Sequence, residues 1–502
     1  MQLKPFQRGL LNLFVSMDDD FFRMLKLKNW PPFLLHQENL DRIEKLLYGG
    51  DKTLALRLEY AQTLVALGQK EKAKDVYLNI LAEDPTHFDA LINLGSLVYS
   101  MGFRTAARTA FAEAVNKHPD HPIGHVKLAD ALRENSELQA ARKQYEIALQ
   151  LAPTLTSAHQ GIAYVLMETG EEEKAIYHRE SGFKNQSISV FPYRGKVPPI
   201  NLLMLFSTVG GNIPFLHHID DQIFLTTVLA VEYFDASLPL PPHHLVFNAV
   251  GDADLCQTAL DQVEKIVAHT TKPVINIPSA VKVTGRLANA GRLGKIPGVI
   301  TPKTETVRRE NLTFDFLSRL GFKFPFLIRR PGFHTGKYFF RIENEKELNE
   351  TIKNLPGEEL TVIEYLESKN TAGNMRKYRV MFIDGEIYPM HAAISHDWKV
   401  HYFTADMKNN PENREEDVKF LEDMPGTIGL TAMQAVKQIQ RHLGLDYGGI
   451  DFGLNDHGEV LFFEANATMV VNPPNHDPQW DYRREPVQRI QNAIRKMLLR
   501  RV

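Results

Sequence analysis

One cysteine, Cys256, stands in 502 residues, so no disulfide can form within the chain and a reducing compartment is expected. No catalytic context surrounds it, and it reads as a small buried apolar residue rather than a nucleophile. Long apolar runs are also lacking: nothing approaches the roughly 20 consecutive apolar residues of a membrane helix. The apolar stretch from Leu10 to Met17 runs straight into Asp18, Asp19 and Asp20, without the cleavage site of a signal peptide. Excess charge of one sign is missing too. A formal net charge of −3 argues against a general affinity for nucleic acid or for a membrane surface. The cytoplasm is the expected location.

With 43% apolar and 24% charged residues the composition is that of ordinary globular protein. The length exceeds one core, so several domains are expected. Internal repetition is plain near the front. Pro85, Pro119 and Pro153 are spaced 34 residues apart. Gly68, Gly102 and Gly170 keep that interval, with Ser136 in the remaining slot. So do Ala73, Ala107, Ala141 and Ala175, the small residues Ala61, Gly95, Ala129 and Ala163, and the aromatics Tyr77, Phe111 and Tyr145. Each unit reads as a helical hairpin. Glycine ends the first helix at positive φ, small residues allow close helix approach, and proline stops the second helix.

This pattern resembles the tetratricopeptide repeat over about residues 52–187. Arg179 stands in the aromatic slot of the last unit, as suits a capping repeat. The resemblance implies a concave face that holds a peptide or protein segment; a dimerisation or packing role is the alternative, and a homodimer is possible. Residues 1–50 are expected to form an N-terminal helical cap, broken near Asn29-Trp30-Pro31-Pro32. The Asp18–Asp20 run reads as a solvated helix start.

After a linker at 188–199 the pattern changes to short apolar runs alternating with helical stretches. Leu202–Phe206, Leu245–Ala249 and Pro273–Ile277 read as buried parallel strands, with a helix over Asp254–His269 between two of them. This is a βαβ region of about residues 200–300. The turn at Gly210 and Gly211 follows a strand, where parallel sheets bind ligands; it is either a plain turn or a substrate contact.

Three downstream segments carry candidate chemistry. Strand Phe324–Arg330 leads through Gly332 and Gly336 to Tyr338–Ile342; a cation before a glycine-bearing tip can meet phosphate oxygens, and a plain hairpin turn with surface charges is the alternative. Leu360–Glu367 is a strand entering an acidic and aromatic turn suited to an adenine edge and a ribose. Tyr447–Leu454 and Val460–Asn466 form a hairpin. It carries Asp451, Glu464 and Asn466, the last two on one face because they are two apart. Hard oxygen ligands converging from such a hairpin suit Mg²⁺.

In this order the segments resemble the ATP-grasp superfamily. The chain is therefore expected to be multidomain: an all-α tetratricopeptide solenoid followed by an α/β ATP-grasp fold. The grasp part would comprise a Rossmann-like βαβ pre-grasp domain at 200–300 and two α+β subdomains clamping ATP at 301–502. The resemblance implies Asp451, Glu464 and Asn466 as ligands of Mg²⁺, with Mn²⁺ possible. It implies Lys282 and Arg330 on phosphates, Glu364, Tyr365, Leu366 and Glu367 around adenosine, and Arg379 facing the transferred phosphoryl group. Arginine replaces the usual lysine at 330. The turn after Asn466 departs from the Ser-Pro-Gly of many ligases, and Gly449 stands where D-alanine ligases place an arginine.

His391, Lys399 and His401 are candidates for a substrate carboxylate or phosphate, or for accepting an amine proton; polar residues at a strand edge are the alternative. Asn409–Asp417 reads as a solvated loop or a lid. Thr431–Leu443 and the basic C-terminal segment read as helices, the latter not bound to nucleic acid. The resemblance implies a carboxylate–amine ligase acting through an acyl phosphate on a carboxylate and an amine. The alternatives are a phosphotransferase or thiol ligase, and a non-catalytic repeat scaffold sensing nucleotide.

Overall fold

The structure, a computed structural model, describes residues 32–331, 338–368, 373–400, 402, 405–475 and 477–502. The expectations for Asp18–Asp20, the break at Asn29–Pro31, and Gly332, Gly336 and His401 lie outside the described residues. The chain divides into two compact units. One holds the chain up to Val209, Pro214–Phe247 and His269–Pro273; the other holds Gly210–Ile213, Asn248–Ala268 and Val274–Val502.

The first unit opens with α1 (Pro32–Tyr48) and four helical hairpins: α2 (Leu54–Ala66) with α3 (Lys70–Glu83), α4 (Phe88–Ser100) with α5 (Arg104–Lys117), α6 (Pro122–Glu134) with α7 (Leu138–Leu151), and α8 (Thr156–Thr169) with α9 (Glu172–Phe183). The repeated positions do what their residue types predict. Gly68, Gly102 and Gly170 have φ of 75°, 92° and 83°, and the amide of each bonds back into the helix it ends. Ser136 takes the same left-handed turn at φ 65°, a conformation that costs an L-residue about 1–2 kcal/mol. The repeated alanines are fully buried, as are Tyr77 and Tyr145. A Cβ at Gly95 would lie 2.5 Å from the Phe111 ring, so that slot must stay small for the aromatic to fill the gap.

Phe183, at the end of α9, stacks on Tyr233 and meets Phe206 edge-on. The sheet behind it runs β1 (Ile188–Val190), β3 (Phe224–Ala230), β2 (Ile200–Phe206), β4 (Leu245–Asn248). β2 and β3 are parallel. Strand β3 was not expected: Phe-Leu-Thr-Thr-Val-Leu-Ala lacks alternation because both its faces are buried.

The second unit begins with α10 (Gln257–Val267), β5 (Val274–Ile275), α11 (Pro278–Lys282), α12 (Arg286–Leu293) and β6 (Val299–Ile300). A four-stranded antiparallel sheet follows in the order β7 (Thr304–Arg308), β10 (Glu359–Glu364), β8 (Phe326–Arg329), β9 (Phe339–Ile342). α13 (Phe314–Arg319) and α14 (Glu345–Asn354) contribute Leu317 and Leu348 to one core with Phe326, Ile328 and Val362. A five-stranded sheet has the order β12 (Glu386–Ser395), β11 (Met375–Ile383), β13 (Tyr447–Leu454), β14 (Val460–Asn466), β6.

β11 and β12 turn at Asp384-Gly385, both at positive φ, the two-residue hairpin that the twist of antiparallel strands favours. α15 (Pro411–Glu422), α16 (Met424–Leu443, broken at Gly429) and α17 (Arg484–Arg500) complete the unit. The Asn409–Asp417 expectation is corrected: the segment is helical from Pro411. Asn410 caps the amide of Glu412, proline occupies the first turn, and Asp417 is buried. Among the described residues no helix is long and apolar enough to cross a membrane.

Candidate functional site

The large sheet carries a continuous polar row on one face. His391 on β12 pairs with Arg379 on β11, Arg379 with Asp451 on β13, and Asp451 with Glu464 on β14. Residues opposite one another in antiparallel strands share a face, so the four side chains stand side by side. Lys377 and Asn466, each two residues from a member, flank the row on that face. The pairing register shifts beside it twice, at Arg379/Val380 and at Asp451/Phe452. An extra residue at each place re-aims the neighbouring side chains.

Asp451 is buried. Its carboxylate accepts Nε and Nη2 of Arg379 at 2.6 and 2.8 Å, and Lys377 Nζ lies 3.1 Å away. Burial alone would raise its pKa, but Arg379 and then Lys377 outweigh that and hold the carboxyl well below the usual carboxylate range. Glu464 Oε1 accepts Arg286 Nη2 at 2.5 Å and Asn466 Nδ2 at 3.0 Å. Asn466 Oδ1 accepts the Thr468 hydroxyl at 3.0 Å. His391 is buried, and its pKa is driven well below the ordinary histidine value by that burial, then by Arg379 and Arg483. Its ring leans on Tyr402, centroids 4.5 Å apart. Tyr402 and Tyr482 both donate to buried Asp417, whose other oxygen accepts the Ala392 amide.

Arg286 carries the row outward. Its Nη1 donates to Asp254 at 3.0 Å, and Asp254 follows the turn that Asp252 stabilises by accepting the amides of Asp254 and Leu255. Gly210 and Gly211 pack on this turn. The Gly210 carbonyl accepts Cys256 Sγ–H at 3.2 Å, and a Cβ on Gly211 would lie 2.6 Å from that sulfur. A Cβ on Gly251 would lie 2.9 Å from Thr468, two residues beyond Asn466. The turn at Gly251 and Asp252 thus abuts the tail of the acidic hairpin.

The remaining expected residues lie apart. Lys282 is paired with Asp261 at 2.6 Å and Glu264 at 2.7 Å on α10. Arg330 runs along Gly357, whereas its neighbour Arg329 is buried in the field of Arg286, Glu464 and Asp254. Desolvation, with Arg286 second, lowers its pKa to about 10. Alternation explains the difference: Phe326 and Ile328 fill the core of the small sheet, so Arg329 faces the other way. Lys399 Nζ reaches the Phe339 carbonyl at 3.2 Å. Glu364 accepts the Lys303 amide at 3.0 Å. Burial raises Tyr365 to about 12, and Arg341 lies over its ring at 4.3 Å. Leu366 is half-buried and Glu367 exposed at the turn that follows.

Arg286, Arg329 and Lys377 are the members that the sequence reading did not name. Lys377 was detectable by its two-residue offset from Arg379 and Arg329 by alternation, but nothing in the sequence links Arg286 to a carboxylate 178 positions away.

Two carboxylates and an amide on one sheet face fit a hard divalent cation in the chemistry of the donor set. Among the described residues no three His, Cys, Asp or Glu side chains converge as a metal cluster; the third donor here is Asn466.

The repeat array matches the tetratricopeptide-repeat family over residues 93–155. Among solved structures, residues 41 to the end of MamA from Desulfovibrio magneticus RS-1 are 17% identical, covering 34% of this chain and 96% of that one, at a TM-score of 0.27. The VanG D-Ala:D-Ser ligase from Enterococcus faecalis is 14% identical, covering 61% of this chain and 100% of that one, at a TM-score of 0.40. Comparison with curated proteins gave no match.

Proposed function

We propose that this protein is an ATP- and Mg²⁺-dependent ligase joining a carboxylate to an amine, with the repeats recruiting a peptide or protein segment. One observation carries the reading: the row His391–Arg379–Asp451–Glu464 across four adjacent strands, with Arg286 and Arg329 beside it. Such a face sets hard anionic ligands next to fixed cations, as the binding of a metal nucleotide requires.

In this reading Asp451, Glu464 and Asn466 hold Mg²⁺, or Mn²⁺ in its place. The ion, when bound, neutralises charge developing on the transferred phosphoryl group. Arg379, Lys377, Arg286 and Arg329 orient the phosphates. The γ-phosphoryl group passes to a substrate carboxylate oxygen, giving an acyl phosphate and ADP. The amine then attacks the acyl carbon, the C–O bond to phosphate breaks, and the amine proton leaves. His391, at the end of the row, is assigned the acceptance of that proton. The Glu364–Glu367 turn serves adenosine.

The purified chain incubated with ATP, Mg²⁺ and panels of carboxylates and amines should release ADP, and Glu464→Ala should abolish release. Hydroxylamine should trap the acyl phosphate as a hydroxamate. No ATP consumption across both panels would overturn the proposal.

A further inference from the structure

Asp451 and Glu464 are each already held by a cation of the chain. Asp451 gives both oxygens to Arg379 and one of them also to Lys377. Glu464 gives Oε1 to Arg286, which is anchored from behind by Asp254. These are charge-assisted contacts at buried or half-buried positions, far stronger than exposed surface pairs. A divalent cation arriving alone must displace guanidinium groups and leave them without a counter-charge in a partly desolvated place, which is costly. Nucleotide phosphates arriving alone compete with the carboxylates for the same guanidinium groups.

Arriving together, the two solve one another's problem. Phosphate oxygens take over the guanidinium groups with the same two-pronged geometry, and the metal takes over the freed carboxylates.

We infer that Arg379 and Arg286 are resident counter-ions that mask the metal ligands until nucleotide phosphates draw them off, so that metal and nucleotide bind only weakly apart and tightly together. The inference rests on the metal-nucleotide reading above and assigns Arg286, together with Arg379, a positioning role in it. By linkage the coupling is reciprocal: ADP tightens the metal by the same factor that the metal tightens ADP.

The test is Mn²⁺ binding to the full chain, read by electron paramagnetic resonance of the free ion, with and without ADP, and by the shift of melting temperature that Mn²⁺ causes. For the wild-type chain ADP should tighten Mn²⁺ about tenfold or more, and Mn²⁺ alone should not raise the melting temperature. Arg286→Met and Arg379→Met, made separately, should each bind Mn²⁺ without ADP about tenfold more tightly than wild type and be stabilised by it. Arg286→Lys, which keeps the charge, should stay masked, and Glu464→Gln added to Arg286→Met should remove the gain.

A folded methionine variant that binds Mn²⁺ no better than wild type would overturn the inference; so would a wild type that binds ADP while its Mn²⁺ affinity stays unchanged. Because the unmasking is measured without nucleotide, it decides the matter even if calorimetry finds no ADP binding. That last result would sink the metal-nucleotide reading instead. The two arginines sit on different carboxylates, so one folded methionine variant suffices.

Discussion

Replacing Asp451 by asparagine keeps the shape of the side chain and removes the charge on which two cations converge. In the native chain Arg379 makes two bonds of 2.6 and 2.8 Å to that carboxylate, and Lys377 a third contact at 3.1 Å. The carboxylate is 4% exposed, the two cations 23% and 16%. Removing one partner of a buried pair costs about 3–5 kcal/mol, because the survivor is left uncompensated. The partial exposure of both cations puts Asp451→Asn at the low end, about 3 kcal/mol. Arg379→Met should cost about 2 kcal/mol, since Lys377 remains to face the carboxylate. The double variant should be more stable than the sum of the two losses implies, by about 1–3 kcal/mol of coupling.

Urea unfolding followed by tryptophan fluorescence suits the question, because Trp398 and Trp480 both lie in the second unit. The folded pKa of Asp451 is depressed, so its contribution is fully present above the unfolded value of about 3.9. It is lost only as pH falls through the folded value. The penalty of Asp451→Asn should therefore be flat between about pH 5 and 8. A penalty under about 1 kcal/mol, or additive single losses, would refute a buried ionic row at this place.

Two further outcomes concern the array. Ser136→Gly should stabilise the first unit by about 0.5–1 kcal/mol: relief of the left-handed strain at φ 65° outweighs the added unfolded-state freedom of glycine. Far-UV circular dichroism in urea reads this, and a destabilised variant would count against it. His178 is held down to about 4 by burial and by the neighbouring His159, whose Nδ1 lies 2.8 Å from its own. The folded form thus binds the proton less well than the unfolded one. Array stability should be full above about pH 6.5, fall as pH drops towards 4, and change no further from this cause below it. His178→Gln should flatten that window in melting curves taken across the pH range; an unchanged slope would show that another group titrates.

The array and the hairpins were legible in the sequence because their causes are local. A positive-φ turn selects glycine at a fixed interval whatever surrounds it, and Ser136 in the fourth slot still adopts that turn because the helices on either side impose it. The shared face of Glu464 and Asn466 follows from the two-residue period of a strand, and the Asp384-Gly385 turn from backbone twist. The charges of the segment after Asn409 suggest solvent, whereas it is helical from Pro411. Its capping residue and proline were helix signals, and burial of Asp417 depends on Tyr402 and Tyr482, distant in the chain.

Sequence alone thus determined which residues turn, which are small and which strands carry polar side chains, since nearest-neighbour sterics and periodicity settle those. Only the tertiary structure decided what those side chains touch. Register and bulges brought His391, Arg379, Asp451 and Glu464 into one row. Packing set Arg329 rather than Arg330 in the field of the carboxylates, and a contact across 178 positions gave Glu464 its counter-ion in Arg286. Electrostatic pairing depends on distance in space, which a linear pattern does not encode.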